Sequence, residues 1–206
     1  MKSALTALLV IVFLPSAYAE RSDRSNSFGF ELGVGSGAAK IKNLSQGDSN
    51  YEAFSFRGRL NFPLIVGESY GFALLPGYRF SSLENSANNS QVETGKLEGF
   101  GAGIHLRLFK FYFGYELYQL SGGNQFVGTT SSHFEYEMLA SNLVAGLLVP
   151  LKSAAILIEY NQLKGEIPSS ATGLAEASSY SDGQFWINLR YNTDFEMGSL
   201  FGFLFD

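Results

Sequence analysis

Segments in which apolar and polar residues alternate recur along this chain, and this pattern restricts its fold more than any other feature. Phe100 and Ile104, for example, alternate with Gly101 and His105. A period of two places neighbouring residues on opposite faces of a β-strand. Eight such segments are present: Ser27–Ser36, Ala53–Phe62, Ser69–Ser81, Glu98–Phe109, Phe111–Leu120, Leu139–Val149, Ala154–Gln162 and Gly183–Asn192. The sequence therefore predicts an all-β, antiparallel, up-and-down fold of eight two-faced strands.

The lengths of these segments and of their connections favour a barrel that crosses a membrane. Each segment has about ten residues, the length that a tilted strand needs to cross the hydrocarbon core. Short connections are predicted at 63–68, around Lys110 and at 150–153, and long polar ones at 37–50, 82–96, 121–133 and 164–182. Short turns on one side and long extracellular loops on the other are typical of transmembrane β-barrels.

A soluble β-sandwich or lipocalin-like barrel is the alternative fold. In that fold the apolar face of each strand would point inward, and the polar face would not need so many arginines. Here charged residues or glycines lie opposite the aromatic face of nearly every segment, and 16% of the residues are charged, against about 25% in soluble domains. The pattern favours the membrane barrel, with Tyr70, Tyr115, Tyr160 and Tyr191 as candidates for the interfacial belts.

The N-terminus has the parts of a secretory signal peptide. Lys2 precedes an apolar run over residues 4–14, and the small-residue triplet 17–19 supplies a cleavage site. The run is too short to span a bilayer as a helix. We predict that residues 1–19 are removed and that residues 20–206 form one domain. An exported chain with amphipathic strands and no second long apolar run is expected in the outer membrane of a Gram-negative cell.

Composition excludes several classes of protein. The chain has no cysteine, so the fold has no disulfide and the predicted mature N-terminus has no site for a lipid anchor. The net charge of −5 argues against nucleic acid as a partner. The sequence shows no metal-ligand spacing and no phosphate-binding loop, and we therefore expect neither a metal nor a cofactor.

The polar faces of the predicted strands carry a set of charged residues that would line the barrel. An eight-stranded barrel is just wide enough for side chains to fill, so we expect these charges to pair with one another because unpaired buried charge is costly. A surplus of arginine and the inward glycines of the first and fourth strands favour some water-filled space, and with it a narrow anion-leaning pore or a small-solute site. The predicted set is Glu31, Arg57, Arg59, Arg79, His105, Arg107, Glu116, Glu159 and Arg190.

The pattern of alternating strands and asymmetric connections over residues 27–206 resembles the small outer-membrane proteins of the OmpA-membrane-domain and OmpX type. The resemblance is one of architecture. It implies a monomer embedded in outer-membrane lipid and lipopolysaccharide, inserted by the barrel-assembly machinery, with a structural or surface-interaction role.

The C-terminal residues carry a more specific local similarity to this group. Glu196, Gly198, Phe201 and Phe203 resemble the polar-x-Gly-x-x-aromatic-x-aromatic assembly signal of such barrels. A separate strand there would be a ninth, whereas single-chain bacterial barrels have an even number. We therefore predict one long final strand from Gly183 through Phe205, kinked near 192–194, with ten strands as the alternative.

Enzymes of this architecture provide a third functional alternative, a lipid A-modifying enzyme. Lipid A deacylases use a His-x-Ser pair, but His105 is not followed by such a serine, and at His133 the order is reversed because Ser131 precedes it. Barrel proteases use acidic and histidine residues at the outer rim, and Asp48, His133 and Asp182 are more simply read as solvated loop residues. We predict that the protein is not an enzyme.

The remaining candidate for specificity is the extracellular side. The predicted loops are rich in serine, asparagine and glycine, and residues 134–137 are suited to extend the sixth strand above the membrane. An extracellular partner that contacts this side is the expected form of a surface role.

Overall fold

The computed structural model describes most of the predicted barrel. The described residues are 27–43, 47–67, 69–85, 94–126, 132–151, 154–168 and 178–196. The predicted signal peptide lies outside them, as do Gly198, Phe201 and Phe203 of the predicted assembly signal. Within these ranges, no helix has both the length and the apolar character to span a bilayer.

Eight antiparallel strands form a closed barrel in which each strand pairs with its neighbours in sequence and β8 pairs with β1. The first and last described strands thus complete the hydrogen-bonded ring, and the described residues hold eight strands rather than ten. The strands are β1 Ser27–Asn43, β2 Gly47–Val66, β3 Tyr70–Asn85, β4 Thr94–Leu108, β5 Phe111–Phe126, β6 Ser132–Pro150, β7 Ala154–Ile167 and β8 Ser178–Glu196.

The polarity of the barrel wall is as predicted for a membrane barrel. Phe100 faces outward and is 73% exposed, whereas Arg59 faces the interior and is 2% exposed. The outward face of every strand contributes aliphatic or aromatic side chains to one apolar belt, and all four tyrosines proposed for the interfaces face outward. A soluble barrel would have the opposite arrangement, so this alternative is wrong.

The strands are longer than predicted, and most of the additional residues lie at the end of the barrel predicted to be extracellular, which is called the extracellular end here. β1 continues to Asn43 rather than ending at Ser36, and β6 begins at Ser132 rather than at Leu139. Apolar and polar residues still alternate there, but the apolar ones now face the interior: Ile41 is buried in the barrel while Lys42 is exposed. Much of each predicted long loop is therefore strand.

Two irregularities modify the ends of strands on the opposite, periplasmic side. β2 continues to Val66 through Pro63, which was expected to start a turn, and the register with β3 shifts between Pro63 and Ile65. Proline is tolerated in strands at such bulges. In β8 the register with β1 shifts beyond Asn192, where the sequence predicted a kink.

Inward glycines are paired across strands with large side chains. A Cβ built on Gly35 would overlap the indole ring of Trp186, its direct register partner on β8. The glycines of β1 and β4 were expected to leave water-filled space, but the neighbouring strand fills it. The other cross-strand pairs of this kind are Gly33 with Asn188, Gly101 with Tyr118, Gly103 with Glu116, Gly114 with His105, Gly122 with Tyr136 and Gly146 with Tyr112.

We expect Gly35→Ala to lower the free energy of unfolding by about 1–3 kcal/mol, because the added methyl group forces a shift of a fully enclosed ring. Gly58→Ala is the matched control, since Gly58 faces outward and the nearest atom to its Cβ position is 3.7 Å away. Chemical unfolding in detergent micelles, followed by the fluorescence of the single tryptophan, measures both. Equal losses in the two variants would contradict the packing explanation.

Candidate functional site

Arg59 of β2 occupies the centre of the barrel interior and contacts three carboxylates. Its Nε donates to Glu31 Oε1 at 2.8 Å, its Nη1 to Glu116 Oε1 at 2.5 Å and its Nη2 to Glu159 Oε1 at 2.6 Å. These acids lie on β1, β5 and β7. A planar guanidinium with five donors suits such multiple contacts, and all four side chains are at most 1% exposed.

Two further arginines complete this central network. Arg57 donates to Glu159 and, at 2.7 Å, to Asn188 Oδ1. Arg190 donates from Nε to Glu31 Oε2 at 2.7 Å. Each of these carboxylates therefore accepts from two arginines, and the oppositely charged groups lie within hydrogen-bond distance throughout. Such close pairing offsets the cost of burying the charges.

A second ion pair lies nearer the extracellular end. Arg79 Nη2 donates to Asp182 Oδ2 at 2.6 Å, and the same oxygen accepts from Tyr180 OH at 3.0 Å. Trp186 lies between the central network and this second ion pair. Its ring centroid is 4.3 Å from the guanidinium carbon of Arg57 and 5.2 Å from that of Arg79. The interpretation of Asp182 as a solvated loop residue is wrong, because it is a buried residue of β8.

Asp182 adds a fourth carboxylate, and because Arg107 is not part of the paired set, the predicted surplus of arginine is absent from it. The paired interior groups are four arginines and four carboxylates: Arg57, Arg59, Arg79, Arg190, Glu31, Glu116, Glu159 and Asp182. Arg107 does not join them. Its Nη2 donates to the backbone oxygens of Gly67 and Tyr70, at 2.8 and 3.3 Å, beside the β2–β3 turn.

His105 belongs to the network rather than to a separate reactive site. Its Nε2 lies 3.0 Å from Glu116 Oε1, and its ring stacks on Tyr112 with centroids 5.8 Å apart. The side chain of His133 lies outside the described part of the structure. Among the described residues, no group of three or more histidine, aspartate or glutamate side chains is arranged to hold a metal ion.

Neutral side chains that the sequence analysis did not select connect the charged ones. Asn142 Nδ2 donates to Glu116 Oε2 at 2.6 Å and to Asn161 Oδ1 at 3.0 Å, and Asn161 in turn donates to Glu159. Both asparagines alternate with apolar residues in the sequence, which predicts that they face the interior. The predicted lumen set contains charged residues and one histidine, so it does not include these asparagines.

An apolar layer inside the barrel lies above the charged groups, on the extracellular side. Its members come from all eight strands and pack as one cluster: Ala39, Ile41, Tyr51, Ala53, Leu83, Leu97, Tyr118, Leu120, Tyr136, Met138, Ala140, Leu163, Ile167 and Tyr180. A smaller apolar cluster lies toward the periplasmic end and contains Tyr112, Val144, Ala155 and Leu157. The charged groups thus lie beneath an apolar layer on the extracellular side, and the smaller cluster on β5, β6 and β7 lies on their periplasmic side.

Comparison with solved structures supports the architecture. The chain is similar to Neisserial surface protein A, with a TM-score of 0.52, 9% identity, and coverage of 81% of this chain and 97% of the other. It is also similar to Ail, the attachment invasion locus protein of Yersinia pestis, with a TM-score of 0.54, 14% identity, and coverage of 80% and 99%. The fold is that of a small outer-membrane β-barrel.

No protein-family model matches the chain, and no curated protein matches it in sequence. The fold and the apolar belt together assign the barrel to the outer membrane. The predicted assembly signal begins at the last described residue of β8, Glu196, and its other members remain a prediction.

We expect Arg59→Met to lower the free energy of unfolding by about 3–5 kcal/mol, because three buried carboxylates lose a shared partner. Arg107→Met is the matched control and should cause a smaller loss, since its guanidinium contacts only carbonyl oxygens in the described structure. Part of the stability of Arg59→Met should return in acid, where protonated carboxyl groups carry no charge. Unfolding midpoints at two pH values measure this, and equal losses in both variants would contradict a role for the network.

Proposed function

We propose that the protein is a closed, non-conducting outer-membrane barrel whose role is structural and surface-interacting. The strand ends beyond the apolar belt, such as residues 37–43 of β1 and 132–138 of β6, form what we call the extension, and it would present a rigid surface to a partner outside the cell. The observation that carries this proposal is the pairing of Arg59 with carboxylates of β1, β5 and β7 across the lumen, since a barrel without an open lumen can meet other molecules only through its outer wall and its ends.

Three features of the interior argue against the narrow pore or small-solute binder. The paired charges balance, so an anion gains no net attraction from them, and Arg107 lies outside this set, beside the β2–β3 turn. The inward glycines are covered by large side chains such as Trp186. The extracellular apolar layer would have to separate before an ion could reach the charged groups. The first feature removes a preference for anions, and the second and third oppose conduction.

The extension has the polarity of a soluble barrel. Above the apolar belt, Glu52, Glu84 and Glu137 are exposed on the outside while apolar side chains fill the inside. Continuous strand pairing gives this part a fixed shape, because β5 and β6 remain paired as far as Phe126 and Ser132. A rigid, charged surface at this position is suited to contact with a macromolecule, and we propose that the barrel acts there as a monomer.

The proposal includes the absence of catalysis. The described histidine, His105, is enclosed in the lumen with Glu116 and Tyr112 rather than beside a serine. The charged groups around it are engaged with one another. A lipid A-modifying enzyme would need its reactive groups on the lipid-facing wall or at the rim.

The names of the similar structures agree with a role at the cell surface. One is a surface protein and the other an attachment invasion locus protein. At 9% and 14% identity the likeness concerns the fold, and fold alone does not determine function. The partner therefore has to be sought by experiment.

We expect the refolded protein to show no discrete openings in planar bilayers, because its lumen is filled. A heat-dependent shift in gel mobility provides the control that the inserted protein is folded. Discrete openings of the folded protein that change in Arg57→Gln would support the pore and contradict the proposal.

The orientation of the extension can be tested with single cysteines, since the chain has none. We expect Glu137→Cys to react with a membrane-impermeant maleimide on intact cells. Lys110→Cys, in the tight β4–β5 turn at the opposite end, should react only after the outer membrane is permeabilised. The reverse pattern would place the extension in the periplasm.

A further inference from the structure

In one part of the barrel interior, four polar atoms have no hydrogen-bond partner among the described residues. They are Arg79 Nη1, Asp182 Oδ1, Gln184 Oε1 and Trp186 Nε1. All four residues are at most 3% exposed, so bulk solvent does not reach these atoms. A buried polar atom without a partner is costly, and most such atoms in folded proteins bond to another protein group or to an ordered water.

The other polar atoms of these side chains hold the four residues together. Arg79 Nη2 donates to Asp182 Oδ2 at 2.6 Å, and Gln184 Nε2 donates to the same oxygen at 3.2 Å. The guanidinium carbon of Arg79 lies 5.2 Å from the ring centroid of Trp186. Asp182, Gln184 and Trp186 are successive inward residues of β8. The four atoms therefore border one region of the lumen, beside the Arg79–Asp182 ion pair.

The contact between Gln184 and Asp182 determines the orientation of the Gln184 amide. The reverse orientation would place Oε1 against a carboxylate oxygen, and two acceptors repel each other. Oε1 is therefore the amide atom that still needs a donor. The set of four thus consists of two donors, on Arg79 and Trp186, and two acceptors, on Asp182 and Gln184.

The inward residues of β1 beside this region are small. They are Gly35, Gly37 and Ala39, and their register partners on β8 are Trp186, Gln184 and Asp182, in that order. The indole of Trp186 covers Gly35, whereas the three atoms nearest to the Cβ position of Gly37 all belong to the backbone. Because glycine and alanine project little or nothing into the lumen, the wall opposite Gln184 and Asp182 leaves room for a molecule of the size of water.

We propose that this region binds an ordered water molecule. The water accepts from Arg79 Nη1 and Trp186 Nε1 and donates to Asp182 Oδ1 and Gln184 Oε1, so a single molecule with two lone pairs and two protons matches the whole set. A cation would be repelled by the guanidinium of Arg79, and an anion by the carboxylate of Asp182. The inference goes beyond the proposed surface role, because it assigns a binding site inside the closed barrel.

The single tryptophan of the chain gives this site its own signal in NMR spectra. In the ¹⁵N-labelled barrel, folded in detergent micelles, the indole N–H of Trp186 produces one isolated resonance. We expect nuclear and rotating-frame Overhauser cross-peaks of opposite sign between this proton and water. Opposite signs identify a bound water and exclude exchange of the N–H proton itself. Absence of both cross-peaks in the folded protein would overturn the proposal.

An apolar variant tests which side chains hold the water. The combined substitution Arg79→Met, Asp182→Leu and Gln184→Met removes the ion pair as a pair and leaves the indole N–H as the remaining member of the set. An enclosed water needs two to four polar partners, so we expect both cross-peaks to be lost. Unchanged cross-peaks in the folded variant would overturn the proposal.

The matched control makes the same kinds of replacement on the outer face of the extension. It combines Lys96→Met, Glu98→Leu and Gln119→Met, at three residues that face outward on β4 and β5. Both cross-peaks should keep their intensity in this control, and their loss would contradict the assignment to the interior site. Heat-dependent gel mobility verifies that each variant is folded, and the measurement on the unmodified protein decides the proposal even where a variant does not fold.

Hydroxyl protons that exchange with solvent can produce a similar cross-peak. Tyr180 OH donates to Asp182 and Ser81 Oγ accepts from Arg79, so Tyr180→Phe and Ser81→Ala remove the hydroxyls bonded to the ion pair. The cross-peaks should persist in both variants, and their loss in either would assign them to a hydroxyl and overturn the proposal. One enclosed water does not open the barrel, so the closed barrel and the water site fail independently.

Discussion

The contacts of Arg59 with Glu31, Glu116 and Glu159 join four strands across the width of the barrel. Backbone hydrogen bonds connect each strand only to its neighbours, and closure is required because hydrocarbon cannot satisfy a free strand edge. The ionic contacts connect opposite walls of the barrel, which the backbone hydrogen bonds between neighbouring strands do not. They also determine the contents of the lumen, since each buried carboxylate needs its partners close by. The proposal of a closed barrel that acts through its outer surface rests on this network.

The wall meets two different solvents, and its polarity reverses between them. Beside the lipid, Phe185 faces outward and Gln184 inward, whereas at the extracellular end of β1 Lys42 faces outward and Ile41 inward. The strands continue through the reversal with unchanged pairing. Alternation alone maintains the fold in both solvents, because either sense of it gives a strand two distinct faces. The wall therefore has the polarity of a membrane barrel beside the lipid and the polarity of a soluble barrel at the extracellular end.

Sequence reasoning predicted the eight strands and the phase of their faces, because a period of two is local. It missed what depends on the stagger between strands. Arg79 and Arg107 have the same inward phase, yet one pairs with Asp182 and the other caps the β2–β3 turn. The predicted lumen set omits Asp182 because the predicted final strand begins at Gly183, one residue later, whereas β8 begins at Ser178. An inward phase is visible in a sequence, but the height of a residue in the barrel is set by register and shear.

The pairing of small with large residues explains how space in the interior is taken up. Gly101 and Gly146 each lie opposite a tyrosine, so at these positions one wall supplies the side chain that the other lacks. A larger residue at such a glycine would meet a side chain that is itself packed in place. The outer wall has no such constraint above the belt, where charges can change without altering the packing. The surface role proposed above therefore places its specificity on the outer face of the extension, where lysines and carboxylates lie on neighbouring strands.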